Sequence, residues 1–160
     1  MSDIFISFVH EEDAVAIQVQ RLLRKHLQGK NVFMSADQWQ VYAGEVWFDR
    51  IRAELSSARV VLLLLSSRSV LRPWVNFEAG AAWLAGKVVI PVCFGGLTKA
   101  ALPKPYSEFQ ALDLPSEAYY LVSSIAHHLS MLPPPPFFTE NEETEQIAIA
   151  ILRSRKEENE

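Results

Sequence analysis

The 160 residues, 49% of them hydrophobic, suffice for one globular core that buries about two-thirds of its unfolded surface. A formal charge of −4, from 15 basic and 19 acidic side chains, provides no broad basic field, so nucleic acid is excluded as a direct partner. The one cysteine, Cys93, cannot form an internal disulfide, the N-terminus is polar at Ser2 and Asp3, and the longest aliphatic run, at 60–65, is too short to span a bilayer; the expectation is a soluble, cytoplasmic protein with no membrane partner.

Residues 3–8, DIFISF, have the β-branched and aromatic content of a strand covered on both faces. A helix is expected over 11–28, with Val15, Val19, Leu22, Leu23 and Leu27 at helical spacing and with acids at its start and bases near its end, as the helix dipole favours. Gly29 stops it, and NVFMSA at 31–36 forms a second buried strand. The loop DQWQVYAG follows, in which Trp39 and Tyr42 are large aromatics on exposed backbone and Gly44 permits a sharp turn. Such side chains either contact a partner or fold back over their own domain.

A helix over 45–58 leads into RVVLLLLSS, the most hydrophobic strand and therefore a central one. Beyond Ser66, Ser67, Arg68 and Ser69, the stretch from Trp74 to Gly86 reads as a helix apolar or small on nearly every side, which is the pattern of an interior helix. Its one charge is Glu78, which shares a face with Trp74, Ala82 and Ala85. An ionised carboxylate there costs several kcal/mol unless it is paired or opens onto a wet cleft. It is therefore either a reacting group beside a crevice or a structural partner of a neighbouring arginine.

A fourth strand is expected over 88–94, with Cys93 as a buried inert thiol, and a fifth at the sheet edge over 109–114. A helix over 116–132 carries the adjacent His127 and His128, which point apart and argue against a shared metal site. Pro133 to Pro136 form a stiff polyproline spacer, after which a short helix over 143–153 and a disordered KEENE end complete the chain. The expected division is a domain over 1–132 and a proline-rich spacer and tail over 133–160.

Alternating strands and helices with short connections predict an α/β fold, a flavodoxin-like, doubly wound, five-stranded parallel sheet. Its ligand crevice lies beyond the carboxyl ends of the strands, where the strand order reverses, and the connections at 8–11, 37–44 and 66–74 reach that edge. A phosphoacceptor receiver is disfavoured because the third strand ends in serines rather than Asp. Neither a Walker string nor a Rossmann glycine fingerprint occurs.

DIFISF, the YAG that closes the loop before a helix, LLLLSS, WVNFEAGAAW and VVIPV, in that order over about residues 3–95, resemble the Toll/interleukin-1 receptor (TIR) domains, in particular the bacterial NAD-consuming type. The resemblance implies the TIR fold, NAD+ as substrate rather than cofactor, no metal, and an NAD+ nucleosidase that yields nicotinamide and ADP-ribose or a cyclic isomer, in bacterial immune signalling or NAD depletion. It maps the catalytic glutamate onto Glu78, with Trp74 one turn before it and Phe8 lining the nicotinamide site. Val9 and His10 stand where some relatives carry basic residues; Trp39, Ser66, Ser67 and Arg68 complete the candidate substrate contacts, and Arg68 and Arg72 are candidates for holding the phosphates. Asp37, Trp39, Tyr42 and Gly44 mark the expected self-association loop, which would join other TIR domains or a second copy. Many TIR domains are adaptors that only assemble, which is the competing expectation; a nucleoside deoxyribosyltransferase is a third.

Overall fold

The computed structural model describes residues 1–36, 47–137 and 142–159. Five strands, β1 (Ile4–Phe8), β2 (Val32–Ala36), β3 (Val60–Leu65), β4 (Val88–Cys93) and β5 (Leu112–Asp113), form one parallel sheet in the order β2-β1-β3-β4-β5. The helices are α1 (Asp13–His26), α2 (Trp47–Ser57), α3 (Pro73–Leu84), α4 (Ala118–His128) and α5 (Glu142–Glu158). The expected flavodoxin-like sheet is present, and its order reverses between β1 and β3.

Strand parity divides the core in two. Ile4, Ile6 and Phe8 of β1, with Val60, Leu62 and Leu64 of β3, face α1, α4 and α5. Phe5 and Val9, with Val61, Leu63 and Leu65, face α2 and α3. Every residue of β1 and β3 is buried, as two covered faces require.

Element ends depart from the sequence expectation for local reasons. A single 3-10 turn at His10–Glu12 precedes α1, so the helix starts two residues later than expected. Gly29, at φ 80°, reverses the chain after it. The edge strand β5 is two residues long, and α4 ends at His128, followed by Ser130 in the left-handed region at φ 58°. The rings of His127 and His128 do not point apart: they meet edge to face with centroids 5.3 Å apart.

Two larger differences concern α3 and the C-terminal stretch. Only Val75, Glu78, Ala79 and Ala82 of α3 are buried, at i, i+3, i+4 and i+7, so one stripe faces the sheet and the helix is not interior. Phe77, Trp83 and Leu84 are exposed, at 57%, 65% and 82%. The prolines are held against the body: Pro134 is buried and its carbonyl accepts a hydrogen bond from the Tyr119 hydroxyl at 3.1 Å, while Phe137 stacks on His26. The helix beyond them is longer than expected, running through Lys156 to Glu158, and it places Ile147, Ala150 and Ile151 in the core beside α1.

Candidate active site

The site is built where β1 and β2 end. Ser7 and Ser35 are register partners on these parallel strands, so their side chains stand side by side on the α3 face of the sheet. One step down the same face, Phe5 and Phe33 pair with ring centroids 5.4 Å apart. A polar pair thus sits on top of an apolar one.

Helix α3 brings Glu78 to this pair. Pro73 opens the helix after an extended Arg72, a position where its missing N–H is harmless. One turn and a half later, Glu78 directs one carboxylate oxygen at each serine. The Ser7 hydroxyl donates to Oε1 at 2.6 Å and the Ser35 hydroxyl donates to Oε2 at 2.6 Å. All three side chains are at 0% exposure. The separations match those of O–H···O⁻ bonds, which are shorter and about twice as strong as neutral ones.

The connection from β3 to α3 is a hydrogen-bonded turn. Ser69 Oγ accepts the Ser66 N–H at 2.7 Å and donates to the Leu64 carbonyl at 3.1 Å, and Ser66 Oγ accepts the N–H groups of Arg68 and Ser69. Ser66, one of the expected substrate contacts, is thus a turn-forming residue. Ser67 donates to the Gly95 carbonyl at 3.1 Å, and Arg68 donates to the Ser154 carbonyl of α5 at 3.4 Å. Arg72 bonds Glu11 at 2.8 Å and so ties the exit of β1 to the entry of α3, at the rim of the same sheet edge.

The remaining expected contacts divide by strand parity. Phe8 lies on the α1 side of the sheet, 5% exposed and across the sheet from Glu78. The structure therefore does not bring Phe8 and Glu78 onto one face. Val9 is on Glu78's side but packed in the apolar core, and His10 is half-buried beside Glu11, 3.3 Å away. Trp74 is half-buried and forms a three-ring cluster with Phe48 and Phe77, each pair 6.2 Å apart. Its buried indole N–H has no hydrogen-bond partner among the described residues. Asp37, Trp39, Tyr42 and Gly44 lie outside the described residues.

No sequence motif marks Ser7 or Ser35. The available signal is one hydroxyl in each of two otherwise apolar strands, IFISF and VFMSA, at the fourth position of each. Cys93 matches the expected inert thiol: burial first, then Asp113 and Glu117, push it up to about 12. Chemically, the site offers a desolvated carboxylate whose charged form is hydrogen-bonded by neutral donors. Such a group stabilises positive charge that develops beside it.

Comparison with known proteins gives a family model described as TIR domain, which matches residues 4–124. No curated protein sequence matches the chain. Among solved structures, a metazoan TIR-STING receptor from C. gigas, in complex with 2',3'-cGAMP, is 20% identical with a TM-score of 0.59, over 78% of this chain and 39% of that one. The chain thus spans about two-fifths of that receptor's length. The TIR domains of the activated Roq1 resistosome, which recognises the pathogen effector XopQ, align at 14% identity and a TM-score of 0.48, over 98% of this chain and 84% of that one.

Proposed function

The chain belongs to the TIR domain family, and from that premise we propose that it is an NAD+ nucleosidase in which Glu78 is the catalytic residue. The observation that carries this reading is the buried carboxylate of Glu78 at the carboxyl end of β1 and β2, where an open α/β sheet binds its ligands. Nicotinamide leaves NAD+ as a neutral ring because its nitrogen is already cationic, so no general acid is needed. One carboxylate then suffices to stabilise the oxocarbenium-like ribose by charge and by hydrogen bonds to its hydroxyls. Capture of the ribose by water gives ADP-ribose, and capture by the adenine end gives a cyclic isomer.

Trp74, one turn before Glu78 and with an indole N–H that has no partner among the described residues, supports the reading as a group able to stack on or bond a planar base. The phosphates would be met by Arg72, at the rim of the same edge, rather than by Arg68. The test is NAD+ consumption by the purified protein at high concentration, with nicotinamide as the product measured. Glu78→Gln should abolish it; a parent protein that leaves NAD+ intact over a hundredfold concentration range removes the reading.

A second reading has its own observation. Leu71, Phe77, Trp83 and Leu84, together with Phe48, leave an apolar surface on and beside α3 uncovered, and Glu78 has no exposed surface. A TIR adaptor that acts only by assembly with other TIR domains or with a second copy would need that surface and would need no accessible carboxylate. Concentration-dependent association without NAD+ turnover would select it.

A further inference from the structure

We propose that Ser7 and Ser35 are positioning residues for Glu78: the two strand hydroxyls hold its carboxylate ionised and fixed at the carboxyl end of the sheet. The proposal rests on the reading of Glu78 as the reacting carboxylate and extends it to two residues on two other elements.

The burial pattern makes the serines unusual. Ser7 interrupts a strand whose other residues are all apolar and buried, and Ser35 is the one fully enclosed residue of the half-exposed strand β2. A hydroxyl buried without a partner costs about 1–3 kcal/mol, so a buried serine persists where an acceptor waits for it. Here that acceptor is the same carboxylate for both. Because the serines are in register on neighbouring strands, their hydroxyls flank one carboxylate from two sides, each 2.6 Å from one of its oxygens. Donors mounted on strands of a packed sheet do not drift, which is what a group aimed at a reacting atom requires.

Hydrogen bonds to the charged form favour ionisation and oppose the effect of burial. The described neighbours add little competing charge. Glu78 is the only titratable residue of α3, and β1, β2, β3 and the 3-10 turn at Ser69–Leu71 carry none. On β4 the only one is Cys93, a neutral thiol. At the rim, Arg72 pairs with Glu11, which also takes His10; α2 carries Asp49 and Arg52, paired with each other, Arg50 over the Phe33 ring, and Glu54.

The experiment is a carbon-13 NMR titration of the side-chain carboxyl of Glu78 in the full chain, for the parent, Ser7→Ala, Ser35→Ala and Ser35→Thr. The resonance is assigned by its loss in Glu78→Gln. Each alanine variant should raise the midpoint by about one to two pH units, the worth of one hydrogen bond to a charged group. Ser35→Thr, which keeps the hydroxyl on a strand-compatible residue, should restore it. In NAD+ cleavage the acid limb of kcat should move upward by the same amount while KM changes little. An unmoved midpoint in the alanine variants, or threonine behaving like alanine, overturns the proposal while NAD+ cleavage by the parent still stands. A moved midpoint in a protein that never consumes NAD+ overturns the catalytic role for all three residues. Thermal melting checks that each variant folds; should Ser7→Ala fail to fold, Ser35→Ala on the outer strand carries the test.

Discussion

Glu78→Gln and Glu78→Ala separate the charge of this residue from its hydrogen bonds. Glutamine keeps the size, accepts from one serine, and presents an amide that the other hydroxyl can turn to accept, so the network survives. Its unfolding free energy should stay within about 0.5 kcal/mol of the parent's, while NAD+ cleavage falls by about a hundredfold or more, as in other electrostatic deletions. Alanine instead strands two buried hydroxyls, each worth about 1–3 kcal/mol. Denaturant melts of the two variants check this. If glutamine destabilises as much as alanine, the negative charge is structural and the adaptor reading gains. At this scale the sequence made Glu78 legible because a single charge on an apolar helix is conspicuous. Ser7 and Ser35 stayed hidden because a serine in a strand is ordinary, and only the pairing register reveals that two of them converge.

Helix α3 carries the next prediction. Its composition is apolar almost all round, which reads as an interior helix, yet only the stripe through Val75, Glu78, Ala79 and Ala82 meets the sheet. Periodicity could not report this, since a stripe is visible only against a polar background. The exposed remainder has a consequence: replacing Trp83 and Leu84 by glutamine should change stability by no more than about 0.5 kcal/mol, the range of surface substitutions. The same change should weaken any concentration-dependent association seen by sedimentation, because it removes apolar area from the surface that would be covered. Association that survives the double change unaltered assigns self-assembly to another surface.

The end of α1 supplies a pH dependence. His26 stacks on Phe137, and burial first, then the neighbouring Lys25, lowers its pKa even though a helix C-terminus favours a cation. His128, at the end of α4, is lowered by burial, His127 and Arg59. Between about pH 7 and 5.5 the unfolded chain takes up protons at these positions, near the ordinary histidine value of about 6.5, where the folded chain resists them. Stability should therefore fall as pH drops through that window, and His26→Gln should flatten the decline in urea midpoints. A midpoint that rises on acidification would show that the helix dipole outweighs burial.

At the scale of the whole molecule, the order and parallel pairing of the strands follow from hydrophobic runs alternating with helical periods, and so were legible from β1 to β4. What local pattern could not supply was the place of the last segment. A proline run reads as a spacer because it cannot join a helix or a sheet, but it can lie along a surface, and here Pro134 and Phe137 do so against Tyr119 and His26. The segment beyond then packs α5 on α1, with Ile147 at 0% and Ile151 at 7% exposure, while Leu152 remains 60% exposed. A chain ending at Leu132 should consequently be less stable, not merely shorter. Two buried isoleucines at about 1.5–3 kcal/mol each place the loss at roughly 3–6 kcal/mol, a large part of the 5–15 kcal/mol of a typical domain. Ile147→Ala in the full chain should reproduce about 2–5 kcal/mol of it, and Leu152→Ala almost none, because the first leaves a cavity and the second leaves water. Chemical denaturation of the three proteins decides the matter. A truncated chain that unfolds cooperatively at the parent's midpoint would show that α1 keeps its core face covered without α5, and that residues 133–160 are an appendage to a self-sufficient sheet.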